Sequence, residues 1–288
     1  MTQPFRRVLA ATDLEATSDA ALLYASDIAR ECHAALGVVV ALPLAQRRLS
    51  AADAAEALHE HVRVVTQRER HAFHAFVDEG PARDAILARA EDFEADLIVT
   101  GSHGPASRER PERLGSVALS IVRDAPCSVL VSRAAVPRGG VLIALDLGKS
   151  SGLVLRAGAA YAKMTSQAPT VVHAADVDSP DVLVALTTFF SGTVPPGPDA
   201  EAVLLLAKSA LEAEVAAANV GADVAVLRGD PKRTVINKAE ALGVSTIVVG
   251  ATTHPTLARL GLGSVADAAV RRAEASVLVV RTSPPRLG

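Results

Sequence analysis

Two stretches of this chain could hold an anion. One is TGSHGPASRERPERLGSV, Thr100–Val117, and the other is GATTHPTLARLGLGSV, Gly250–Val265. Each follows an apolar run and ends in Gly-Ser-Val at the start of a helix-like segment. Glycine lets a backbone approach a ligand with no Cβ in the way. Amides at the following helix start point outward, and the helix dipole favours negative charge there. Ser116 and Ser264 would each add a hydroxyl. Asp13 and Asp146, each just past another apolar run, supply a carboxylate for a ribose hydroxyl or a metal. This is chemistry for holding a nucleotide rather than cutting one.

Other residues invite chemistry but lack the setting for it. Gly148-Lys149-Ser150 follows a strand, yet a phosphate loop needs a glycine five residues before Gly148, and Ile143 stands there. Lys149 reads as a solvent-facing loop residue. His59 and His61 are two apart on a helix and do not share a face. His71 and His74 would point apart beside a strand. His103 and His254 sit in the glycine-containing loops and read as solvent-facing. Arg108, Arg110 and Arg113 alternate with Glu109 and Glu112, which suits a solvated loop better than a phosphate clamp. Cys32 and Cys127 read as buried and inert, and two cysteines make no disulfide framework.

The elements that position these residues occur twice. RVLAATD at 7–13 matches VLIALD at 141–146, and GVVVAL at 37–42 matches TVVHAA at 170–175, both offset by 133 residues. Gly80 matches Gly229 and Gly101 matches Gly250, offset by 149 residues. The 16-residue growth places an insertion in the second copy, at 176–199, read as a short helix and loop. Pro137 and the glycines after it mark the joint, giving domains 1–135 and 139–288. In the first copy, strands are expected at Val8–Thr12, Leu36–Leu42, Phe73–Val77, Leu97–Thr100 and Ser128–Val131. Leu22, Ala25, Ile28 and Ala29 form one helical stripe; Leu58, Val62 and Val65 a second; Val117, Ile121, Val122 and Ala125 a third, with Ser116 as its cap. Near-continuous apolar strands require burial on both faces. The expected fold is α/β: two tandem doubly wound domains, each a five-stranded parallel sheet of order 3-2-1-4-5 with helices on both faces. In that order strands one and four adjoin at the switch point, so Asp and glycine loop share a crevice.

Composition agrees. Half of the 288 residues are hydrophobic and only 3% are aromatic, so the core is aliphatic. A net charge of −3 offers no footprint for nucleic acid. No apolar stretch reaches the ~18 residues that span a bilayer. A soluble, cytoplasmic protein is expected.

At the glycine loops the chain resembles the nucleotide-binding branch of the universal stress protein family, in tandem. That pattern is G-x2-G-x9-G-(S/T) after the fourth strand, with Asp ending the first. Gly101, Gly104 and Gly115-Ser116 match it with ten residues, not nine, before Gly115. Gly250 and Gly263-Ser264 keep the spacing, but Thr253 replaces the second glycine. A β-branched residue resists φ > 0, so the first site ranks above the second. DAPCSVLVSR and EASVLVVR resemble the family's closing turn and strand.

The resemblance implies ATP as ligand, with or without Mg²⁺, and does not separate ATP from ADP or AMP. It implies a binding site at Ala11, Thr12, Asp13, Ala41, Thr100, Gly101, Gly104, Gly115, Ser116 and Val117. In the second copy it implies Ala144, Leu145, Asp146, Ala174, Val249, Gly250, Gly263, Ser264 and Val265. It further implies a regulatory, non-enzymatic stress-response module acting through a protein partner, with dimerisation, and pairing of SVLVSR with SVLVVR inside the chain. The alternatives are a scaffold that has lost nucleotide binding, and a slow ATPase with Asp13 as its base.

Overall fold

The computed structural model describes residues 5–42, 50–67, 73–102, 114–133, 139–177, 200–251 and 262–281. The first copy holds strands β1 (Arg7–Thr12), β2 (Ala35–Leu42), β3 (His74–Glu79), β4 (Leu97–Gly101) and β5 (Ser128–Ser132). Its helices are α1 (Asp19–Glu31), α2 (Ala51–Thr66), α3 (Ala82–Asp92) and α4 (Ser116–Asp124). The second copy holds β6 (Val141–Ala144), β7 (Pro169–Ala175), β8 (Asp223–Arg228), β9 (Thr246–Gly250) and β10 (Ser276–Val280). Its helices are α5 (Ser151–Met164), α6 (Ala200–Ala217), α7 (Pro231–Leu242) and α8 (Ser264–Arg272).

Among the described residues these strands form one ten-stranded sheet, ordered β3-β2-β1-β4-β5-β10-β9-β6-β7-β8. Each half has the order 3-2-1-4-5 and is parallel throughout. The halves join antiparallel, with Val131 opposite Val277, Leu130 opposite Leu278 and Val129 opposite Val279. SVLVSR and SVLVVR thus pair within the chain, and each removes the other's exposed strand edge.

Strand alternation sorts the core into two layers. Val8, Ala10, Leu130, Ile143 and Leu278 face α1, α2, α5 and α6. Leu9, Ala11, Val131, Leu142 and Val277 face α3, α4, α7 and α8. Both layers run across the joint, so the two copies share one core. Gly80 and Gly229, at the same turn of each copy, have φ of 126° and 121°, a region side chains rarely adopt.

Two expectations need correction. Val117 is exposed, and Ala118 takes the buried place beside Ile121 and Val122. The helix begins at Ser116, so its core stripe runs 118, 121, 122, 125, while Val117 projects at the open end. Ser116 also does not cap it: Gly115 is the N-cap, with no side-chain hydrogen bond. The 176–199 insertion lies outside the described residues beyond Val177, as do His71, His103, His254 and the Arg108–Arg113 segment. His59 packs on the ring of Phe73 at 4.9 Å, and His61 Nε2 lies 3.2 Å from Asp19 Oδ1. No group of three metal-ligating side chains occurs among the described residues.

Burial pushes the Cys127 thiol up to about 12 and raises the Tyr161 phenol above its ordinary range. The unfolded chain releases the cysteine proton from about pH 8.5. Folding therefore retains a proton that the unfolded state loses, and the contribution is whole below that pH. It disappears as pH climbs from about 8.5 towards 12. The urea midpoint should hold between pH 7 and 8 and fall steadily above pH 9; a midpoint that rises there would contradict this. Iodoacetamide should alkylate Cys127 far more slowly than a free thiol at pH 8.5.

Candidate functional site

The carboxyl ends of β1 and β4 adjoin, because Ala10 pairs with Val99. Gly101 is the last residue of β4, and the amide of Gly115 donates to the Ser102 carbonyl at 2.8 Å. That bond holds the start of α4 against the end of β4. Thr12, at the end of β1, pairs its hydroxyl with Ser18 Oγ at 2.8 Å. Asp13 follows, and its carboxylate accepts from the Glu15 amide at 3.1 Å and the Thr17 hydroxyl at 3.3 Å. Thr100 is buried and its carbonyl accepts from Ser132 Oγ at 3.2 Å. Ala11 is buried, Ala41 half-buried, and Ser116 and Val117 are exposed at the mouth. Gly104 lies outside the described residues.

The second copy repeats this arrangement around a cavity of about 410 Å³. Ala144, Leu145, Asp146, Ala174, Val249, Gly250, Gly263, Ser264 and Val265 all line it. Ser151, Val154, His173, Pro231, Val235 and Ala266 complete the wall. Gly263 is the N-cap of α8, with no side-chain cap, and its amide bonds the Ala251 carbonyl at 2.5 Å. The first intrahelical bond runs from the Asp267 amide to Gly263, so the amides of Ser264, Val265 and Ala266 have no helical carbonyl to meet. They open towards the cavity at the positive end of the helix dipole. A Cβ on Gly250 would come within 3.1 Å of Val154 Cγ2, so glycine keeps this wall thin.

Asp146 lines the same cavity. Its Oδ1 accepts from the Gly148 amide at 2.9 Å and from Ser151 Oγ at 3.0 Å. The Gly148-Lys149-Ser150 turn therefore wraps its own aspartate and does not form a phosphate cradle, and Lys149 is exposed. Leu14 and Leu147, the residues after the two aspartates, have φ of 61° and 59°. Left-handed leucine is unusual, and nothing in the local residue types announces it. The repeat offset alone would have linked the two positions.

His173 was not singled out by sequence reasoning. Its Nδ1 lies 2.8 Å from the Leu145 carbonyl, so Nδ1 carries the hydrogen and donates. The ladder between β6 and β7 ends at Ala144, whereas that between β1 and β2 continues to Thr12. The Leu145 amide still donates to the Val172 carbonyl at 2.9 Å, and the imidazole takes its carbonyl, steadying the residue before Asp146. The signal was a lone histidine inside the apolar run TVVHAA.

The fold defines a tandem α/β protein of the doubly wound class. The universal stress protein family model matches residues 4–133 and again 139–281, and the chain belongs to that family. Solved structures agree in architecture. A functionally unknown protein from Pseudomonas aeruginosa shares 19% identity, with 98% of this chain and 94% of that one covered, at a TM-score of 0.71. A universal stress protein from Archaeoglobus fulgidus shares 19% identity, with 97% of each chain covered, at a TM-score of 0.64. At such identity the likeness is one of fold.

Proposed function

We propose that the chain is a regulatory module that binds an adenine nucleotide, and that the cavity of the second copy is a binding site. One observation carries this: the uncapped start of α8 and the carboxyl-bearing Asp146 line one cavity of about 410 Å³. The volume lies within the usual range for small-ligand sites, about 300–1,000 Å³. Val154, Ala174, Val235 and Val249 offer an apolar wall for a base. Ser264 Oγ and the α8 amides suit phosphates, and Asp146 suits a ribose hydroxyl. The family supports ATP in this role. Mg²⁺ would arrive on the phosphates, since the cavity offers one carboxylate and Mg²⁺ needs few protein ligands. The first copy, with Asp13, Gly101 and Gly115 similarly placed, is proposed as the second binding site.

The same reading places the protein in the cytoplasm and has it act through nucleotide-dependent association with a protein partner or a second copy. Among the described residues no helix is long and apolar enough to cross a membrane. Turnover would require a base on water, and the carboxylate of Asp146 already accepts two hydrogen bonds. Calorimetric titration with ATP should show saturable binding, and phosphate release should stay at the buffer rate. No heat at millimolar ATP would favour the scaffold reading, which both motif departures, the extra residue before Gly115 and Thr253, motivate. Steady phosphate release lost in Asp13→Ala would favour the ATPase reading.

A further inference from the structure

The residue after each joint strand crosses to the other copy. Arg133 follows β5, and its Nη2 donates to the Val270 carbonyl in α8 at 2.6 Å. Arg281 follows β10, and its Nη2 donates to the Val122 carbonyl of α4 at 3.0 Å and also to that of Arg123. The main chain repeats the exchange: the Arg133 amide donates to Ser276 Oγ and the Arg281 amide to Ser128 Oγ, each at 3.2 Å. Arg133 and Arg281, Val122 and Val270, and Ser128 and Ser276 are each separated by 148 residues. The contacts are therefore one interaction made twice, about a local two-fold relation.

Its target is specific. Val122 and Val270 lie in the last turns of α4 and α8, where carbonyls lack amides to accept from. Those two helices carry the Gly-Ser starts of the two candidate phosphate sites at their other ends. Val122 and Val270 are the seventh residues of these helices, so the carbonyls they offer lie about 9 Å along the axis from the helix starts. A cation at a helix C-terminus complements the dipole whose positive end faces the ligand. Arg133 is 9% exposed, so water screens it little. Its Nε and that of Arg281 are buried with no hydrogen-bond partner among the described residues. Desolvating a cation for one or two carbonyl contacts is costly as pure structure.

We propose that Arg133 and Arg281 are positioning residues acting across the joint, each completing the phosphate site of the opposite copy. This rests on the nucleotide reading above. Arg133 serves the second-copy cavity, and Arg281 serves the first. Each site is then built from both halves of the chain.

The test is a crossed pattern in calorimetric titrations of the full chain. Gly115→Val leaves the second copy as the binding site, and Gly263→Val leaves the first. With Gly115→Val, Arg133→Met should weaken ATP about five-fold while Arg281→Met changes it by less than about two-fold. With Gly263→Val the two roles exchange. Adenosine, which lacks phosphate, should bind alike in all of them, and Arg133→Lys should recover most of the ATP affinity by restoring the charge. Thermal midpoints identify any variant that has lost its fold, and for such a variant the Lys substitution alone is compared with wild type. Equal losses from both arginines in both backgrounds, or losses as large for adenosine as for ATP, would overturn the proposal and leave nucleotide binding standing. Absence of ATP binding to wild type would overturn the nucleotide reading and this inference together.

Discussion

Gly263→Val should cost the second copy its ATP affinity by roughly a hundred-fold or more while leaving the fold intact, because the space beside a helix N-terminus tolerates no bulk where phosphate must sit. Gly263 has φ −68° and ψ 153°, which valine adopts without strain. Its amide bond to Ala251 uses only backbone and survives the substitution. What changes is the cavity wall: a branched side chain is added beside Ser264, Val265 and Ala266, which line the cavity with Gly263. Titration at increasing ATP, beside a urea melt, separates the two effects. An unchanged melt with lost binding is expected. Unchanged binding would remove the helix start from the site.

Leu278→Ala should destabilise the whole chain by roughly 2–5 kcal/mol, through lost transfer energy and the cavity left behind. Leu278 has no exposed surface and pairs with Leu130 across the joint and with Val248 on its other side. It sits mid-sheet in a core layer fed by both copies. The loss should appear as one cooperative transition at lower denaturant, not as early melting of one half. Leu205→Ala is the control: that side chain is 68% exposed, and surface changes of this kind stay within about 0.5 kcal/mol. Two separated transitions in Leu278→Ala would contradict a shared core.

Much of this architecture was legible because burial on both faces writes itself into strand composition. Val8–Val131 shows the runs, and the offsets of 133 and 149 residues repeat them. The order 3-2-1-4-5 belonged to the doubly wound reading of the repeated strands and helices, whereas the pairing of the terminal strands followed from the family resemblance. Local side-chain geometry was harder to read. Val117 reads as apolar and therefore buried, yet a helix start one residue earlier turns it outward. Ser116 reads as a cap, yet Gly115 takes that place without a side-chain bond. The left-handed Leu14 and Leu147 carry no glycine to mark them. The His173 contact with Leu145 and the Arg133 contact with Val270 span 28 and 137 residues. Such long-range polar contacts follow from tertiary packing, and residue type alone does not specify them. The 148-residue match of Arg133 with Arg281 was present in the sequence, but its meaning needed both helices in place.

The most direct measurement is a crystal structure of the chain grown with saturating ATP. The nucleotide should lie in the second-copy cavity, its phosphates on the amides of Ser264 to Ala266, its ribose near Asp146 and its base against Ala174. A vacant cavity at saturating ATP, or a nucleotide held by residues outside it, would contradict the assignment of that crevice.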